Sequence, residues 1–254
     1  MTGKVIALQL YSVRSLGPLE EQLAATAGAG FKAVELLEEH LAEPRVLKAM
    51  LDAHHLLAPS AHVSYPALRN GLVRLIDVCE RCQIKHLFVP GVAFDASRSS
   101  ARGWRFMGSE LAHLAERLHG AGIGLGYHNM RQDFLPLADG RIGFEILMAA
   151  ARGSPLKWQA DIAWMNRAGI NPADWLKRYR GILVSAHIKD AAPIGTHEDE
   201  DGWSDVGGGT MLWPSLWKTA TECGAWLLVV EHDNPRQPLE FAKRSLSYLN
   251  RFNT

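Results

Sequence analysis

"LVSAHIKD", residues 183–190, joins two chemistries in one short run. Its first half has the small and apolar residues of a buried strand, and its end presents His187, Lys189 and Asp190. Burying ionisable groups without partners costs several kcal/mol. A strand that ends this way therefore predicts a rim to which other parts of the chain also deliver polar residues.

The same design recurs seven more times. β-type runs at 4–12, 33–37, 56–63, 86–91, 123–129, 157–164 and 226–233 alternate with segments of helical periodicity. "PLEEQLAATAGAG" (18–30) places proline and acids in its first turn and glycines at its end, the polarity of helix start and stop signals. "SARGWRFMGSELAHLAERLHGAG" (100–122) puts Leu111, Leu114, Ala115 and Leu118 on one face. Alternating strands and helices imply parallel βαβ units, and eight of them imply an α/β fold closed as a (β/α)8 TIM barrel, one domain over 1–254. An open doubly wound sheet is the alternative. It lacks its mark, since "QLYSVRSLG" (9–17) stands where a G-x-G-x-x-G would follow the first strand.

Bulk properties narrow the partners. The chain has 254 residues, 47% of them hydrophobic and 21% charged, with a formal net charge of zero. No basic run offers an electrostatic footprint for nucleic acid, and no apolar stretch has the length of a membrane span. A small-molecule partner is expected, with neither nucleic acid nor membrane. "MTGKVIALQLYSVRS" (1–15) brings polar residues too early for a signal peptide, so a cytoplasmic location is expected. Cys79 and Cys82 form a C-x-x-C without a second pair and share helical spacing with Leu72, Leu75 and Ile76, which favours core packing over zinc or redox chemistry.

In a parallel barrel the C-terminal strand ends open onto one face. Gln9 and Tyr11, Glu35, His62, His128 and Asn129, Asp161 and Trp164, His187 with Lys189 and Asp190, and Glu231 with His232 all fall at such ends. Asp161, His187 and Glu231, from three consecutive strands, offer two carboxylates and an imidazole. That set suits one divalent cation, with manganese or magnesium favoured in the absence of thiolate and zinc, cobalt or iron open. The competing reading is an ion-pair network with neighbouring lysines and arginines.

At these residues the chain resembles the xylose isomerase-like TIM barrels, in the sugar phosphate isomerase/epimerase branch. The resemblance runs through "LQLYSVR", "GFKAVEL", "GYHN", "DIAW", "AHIKD", "VGGGTMLWP" and "VVEHD", in that order along nearly the whole chain. It implies one divalent metal held by an acid from the fifth-strand region and then by Asp161, His187 and Glu231. The fourth position departs from the pattern: "HNMRQDF" (128–134) has Met130 in place of a second histidine and Asp133 in place of glutamate. Asp133 is the expected fourth ligand and His128 its substitute. Related DNA-repair endonucleases bind several zinc ions, whereas the ligand supply here suffices for one, and nuclease activity is not expected.

Such a metal can polarise a hydroxy-ketone while a neighbouring carbon loses its proton, giving an enediolate from which isomerisation, epimerisation and β-elimination all proceed. The expected function is a divalent-metal-dependent sugar isomerase or epimerase acting on a keto-sugar or related polyol. Glu231 is assigned metal binding and proton transfer, His128 a second acid/base role, and Lys189 a contact to substrate oxygen. Gln9, Tyr11, Glu35, His62, Trp164 and Arg236 form the expected substrate-binding set. Lys189 pairing with Asp190 at the surface is the plainer reading of that lysine. "GTHEDEDGWSDVGGGT" (195–210) is long enough to close over a cleft, with Gly207–Gly209 as its flexible part. The alternatives are a keto-glycoside or inositol-derivative lyase or dehydratase, and a non-catalytic sugar-binding or partner-subunit barrel; a homo-oligomer is open.

Overall fold

The computed structural model describes residues 4–91 and 100–252. The expected domain bounds, 1 and 254, lie outside these described residues. The eight expected strands are β1 (Val5–Gln9), β2 (Ala33–Leu36), β3 (Leu57–His62), β4 (His86–Pro90), β5 (Gly124–His128), β6 (Lys157–Asp161), β7 (Leu183–Ile188) and β8 (Leu227–Val230). They pair in parallel in chain order, and β1 also pairs with β8, so the barrel is closed. Helices follow the strands and pack their apolar faces onto the outside, where Trp104, Phe144, Trp158 and Trp213 are fully enclosed.

A separate apolar cluster of Ala7, Ala33, Phe88, Leu227 and Val229, one or two from each of four strands, fills the lower barrel interior. Two glycines of β5 make room for rings of β4. A Cβ at Gly124 would lie 2.5 Å from the His86 ring, and one at Gly126 would lie 2.5 Å from Phe88. Above this floor the interior turns polar, because the inward positions of β2, β3, β6 and β7 carry Glu35, Ser60, Gln159 and Ser185. Gln159 on β6 donates to Glu35 on β2, directly across the barrel, at 2.7 Å.

Several strands are shorter than their sequence patterns. β1 gives way after Gln9 to a 3-10 turn (Leu10–Leu16), and β6 ends at Asp161, whose carboxylate accepts from the Trp164 backbone N–H at 2.8 Å and caps the helix Ile162–Arg167. Tyr11 and Trp164 therefore sit on short helices above the rim. The 195–210 segment is tied down: Asp190–Ala191 pairs antiparallel with Trp203–Ser204, and the Asp190 carboxylate accepts from Gly207 N (2.9 Å) and Met211 N (3.0 Å). Gly209 is a close-approach position, since a Cβ there would meet Asp190 Oδ1 at 2.3 Å and Ala191 O at 2.4 Å. The glycines expected to be a flexible lid are packed positions, Gly207 against Tyr248 and Gly209 against the Asp190–Ala191 segment that follows β7. Cys79 and Cys82 are buried as expected for core residues, and burial pushes the Cys79 thiol up to about 12.

Candidate active site

Strand parity builds the site. Residues two apart on one strand face the same way, so β6 stacks Gln159 under Asp161, β7 stacks Ser185 under His187 and Lys189, and the end of β8 continues from Val229 to Glu231 and Asp233. Asp161 and His187 are register partners, and Glu231 lies two residues beyond Val229, the register partner of His187 on β8. One potential donor atom from each of Asp161, His187 and Glu231 lies within 4.8 Å of the other two, and all three residues are buried. His62, His128 and His187 form a second such group sharing the same histidine.

Glu35 anchors the underside. Its Oε1 accepts from Gln9 Nε2 (2.9 Å) and lies 2.6 Å from His187 Nε2, while its Oε2 accepts from Ser60 Oγ (2.6 Å) and Gln159 Nε2 (2.7 Å). Burial pushes this carboxyl up, but the charges and hydrogen bonds of His62 and His187 outweigh it and hold Glu35 well below the carboxylate range. His187 must donate through Nε2 to this carboxylate. Its Nδ1 is then the nitrogen on the Glu231 side, 2.9 Å from Oε2. Burial pushes His187 down, and Glu231 and Glu35 together outweigh burial and lift it to about 10.

The hydrogen-bond network also fixes the His128 tautomer. The Gln159 amide N–H groups are given to Glu35 and Ser185, so its Oε1 accepts, and His128 Nδ1 at 2.9 Å donates to it. Burial, followed by the charges of His187 and His62, holds His128 well below its ordinary value and so neutral. Its Nε2 then carries a lone pair, 3.9 Å from Asp161 Oδ2. That oxygen is buried and makes no hydrogen bond.

Lys189 completes the charge balance. Its ammonium is fully buried and lies 2.9 Å from Glu231 Oε2, 2.8 Å from Asp233 Oδ1 and 3.4 Å from Asp161 Oδ2. Burial disfavours the ammonium, but the three carboxylates outweigh it and raise the Lys189 pKa. Burial pushes Glu231 up as well, yet Lys189 and His187 hold it well below the ordinary range. At Asp161 burial prevails over Lys189, with Glu231 adding to it, and the carboxyl is raised. Pairing of Lys189 with Asp190 at the surface is thus overturned, because Asp190 is spent on the loop backbone.

A cavity of about 590 Å³ opens above these groups, with Tyr11, His62, His128, Trp164, Lys189 and Glu231 in its wall. Other expected substrate residues lie elsewhere. Gln9 and Glu35 are 0% exposed, bonded to each other beneath the site, and outside the cavity wall. Arg236 is exposed, ion-paired with Asp199 at 2.9 Å, and outside the cavity wall.

Asp133 also departs from expectation. Its Oδ2 accepts from the Tyr127 hydroxyl and the Met130 backbone N–H, both at 2.8 Å, and it belongs to neither donor group among the described residues. Tyr127 precedes the inward-facing His128 and so points outward, toward Phe144 of the helix Gly143–Ala150. A local cap has drawn the acid away from the barrel axis. Asp233 and Gln159 went unassigned in the sequence, although each lies two positions from a singled-out residue.

A family model described as xylose isomerase-like TIM barrel matches residues 23–252. No curated protein matches the chain. Among solved structures the chain is similar to a sugar phosphate isomerase/epimerase from Parabacteroides distasonis, at 20% identity and a TM-score of 0.80, over 98% of this chain and 94% of that one. It is also similar to 3-keto-D-glucoside 4-epimerase from E. coli, at 18% identity and a TM-score of 0.71, over 98% and 99%. The IOLI protein with a bound zinc atom gives 14% identity and a TM-score of 0.72, over 98% and 99%. At these identities the likeness to each structure shows the common fold.

Proposed function

The chain belongs to the xylose isomerase-like TIM barrel family, and from that premise we propose that it is a divalent-metal-dependent isomerase or epimerase of keto-sugars or related polyols. One observation carries the reading. Asp161 Oδ2, buried and without a hydrogen bond, faces His128 Nε2 at 3.9 Å beside Glu231, with the Lys189 ammonium 3.4 Å away as its charged neighbour. Facing acceptors of this kind are stabilised by a cation, and two carboxylates with imidazole nitrogen fit manganese first, with magnesium, cobalt, zinc or iron also compatible.

Asp161, His187 and Glu231 would hold the ion, and His128 rather than Asp133 lies beside them. When bound, the ion supplies positive charge that polarises a substrate carbonyl. Glu35 keeps His187 turned by taking its Nε2 proton, the support a metal-bound histidine needs. Glu231, ionised and in the cavity wall, and His128, neutral with Nε2 free of a proton, are the two bases. One removes the proton from the carbon beside the carbonyl, giving the enediolate. Return of the proton to the neighbouring carbon isomerises, and return to the opposite face epimerises. Lys189 supplies a hydrogen bond to a substrate oxygen. The rival reading, a sugar-binding barrel without catalysis, draws on the withdrawal of Asp133 from the cluster.

Incubation of a panel of keto-sugars with the protein and Mn2+ in D2O tests the proposal. We expect deuterium at the carbon beside the carbonyl, lost in Glu231→Gln and on chelation of the metal. A panel that binds without any exchange would leave the non-catalytic reading standing instead.

A further inference from the structure

The end of the barrel away from the candidate active site holds a second cavity, of about 330 Å³, where β4, β5 and β6 begin and the helix Ala101–Gly120 ends. Its described wall carries Lys85, His86, His119 and Lys157 and no carboxylate. Asp95 is the one acidic side chain outside the described residues, and it follows the C-terminal end of β4, whereas Lys85 and His86 stand at the start of that strand. The chain as a whole is neutral, so the surplus of positive charge is local.

Neither lysine is paired. The side chains of Lys85 and Lys157 make no hydrogen bond or ion pair among the described residues. By contrast Lys48, Arg81, Arg141 and Lys243 each lie within 3.0 Å of a neighbouring carboxylate. The barrel fixes where the two lysines start: Lys85 N donates to Pro59 O, Lys85 O accepts from Gly124 N, and Lys157 is the register partner of Gly126. His86 adds an unsatisfied group, for its Nδ1 is buried without a hydrogen bond and its ring lies against Phe88 and Trp226. Burial lowers the His86 pKa, and Lys157 lowers it further with no carboxylate to offset it. Positive charge gathered in a concave site without a counter-charge draws an anion, and lysine with imidazole suits phosphoryl oxygens.

We infer that this cavity is a second binding site, which takes a small phosphoryl anion, inorganic phosphate or a phosphate monoester, on Lys85 and Lys157 with the imidazoles of His86 and His119 beside them. It stands apart from the proposed metal cluster. Gly124 in its wall and His128 in the wall of the upper cavity are four residues, about 13 Å, apart along β5.

Inorganic phosphate and glycerol 3-phosphate are the probes, each titrated at constant ionic strength into the chelator-stripped full chain. Calorimetry gives the affinity, and imidazole NMR, assigned against His86→Phe, gives the location. A single site per chain with a Kd of about 1 mM or tighter is expected, with the His86 resonances moving along the same saturation curve. The tighter of the two probes identifies whether the free ion or the ester is the ligand. Lys85→Gln and Lys157→Gln should each weaken binding about three-fold or more, and about ten-fold or more together. Both side chains are unbonded and at least partly exposed, so the variants should unfold at the wild-type urea midpoint. Lys243→Gln, the same charge change at a surface ion pair, should bind as the wild type does. Weaker binding of both probes, binding that survives loss of both lysines, or saturation without movement of the His86 resonances would overturn the inference.

Discussion

Glu35 shows how a residue outside the cavity can decide what happens inside it. Each of its oxygens faces at least two donors, from Gln9, Ser60, Gln159 and His187, so an amide in its place would set an N–H group against donors with no acceptor to receive it. Glu35→Gln should therefore cost about 3 to 5 kcal/mol in denaturant unfolding, the range for breaking a buried charge pair. It should also weaken Mn2+ binding by about ten-fold or more by freeing the His187 ring. A loss under about 1 kcal/mol, in the noise of ordinary surface changes, would show that the network tolerates a neutral partner. The identity of Glu35 as a rim residue was legible from strand parity. Its role was not, because Glu35 and His187 are 152 residues apart and only barrel closure makes them neighbours. Asp133 lies apart from the donor groups for the opposite reason. Its spacing in the sequence suggested a ligand, and a hydrogen bond three residues back captured it first.

Among the elements, β4 and β5 meet low in the barrel, where Gly124 makes room for the His86 ring, and their pairing gives the fold a predicted acid sensitivity. His86 stacks near Phe88 and Trp226, its Nδ1 is buried without a partner, and burial, helped by Lys157, pushes it down to about 4. An unfolded histidine titrates near 6.5. Between those values the unfolded chain binds the extra proton, so stability from neutral His86 is complete above about pH 6.5 and falls as pH drops toward 4. Wild-type protein should lose up to about 3 kcal/mol more over that interval than His86→Phe, measured by urea unfolding at successive pH values. Parallel curves for the two proteins would contradict the assignment. Strand and helix order was legible throughout, since hydrophobic period and Gly or Pro punctuation are local properties. The loop at 195–210 was misread because glycines look alike in sequence whether they confer freedom or allow close packing, as Gly207 does against Tyr248 and Gly209 against Asp190.

At the scale of the whole molecule, the closed barrel turns seven polar strand ends into one buried cluster in which Asp161 Oδ2 makes no hydrogen bond and has Lys189 at 3.4 Å as its charged neighbour. Family and barrel were legible together because the markers fall in order on the strand ends. The described wall of the cavity was not, since Glu38, Glu39 and Asp233 acquire a common face only in three dimensions. No helix among the described residues is long and apolar enough to cross a membrane. The central claim is that one divalent cation is held by Asp161, His187 and Glu231. Calorimetric titration of Mn2+ into the chelator-stripped full chain tests it most directly. The account predicts a single site per chain, weakened about 100-fold or more in Asp161→Asn and little changed in Asp133→Asn. No saturable binding, or a site lost in Asp133→Asn and retained in Asp161→Asn, would contradict it.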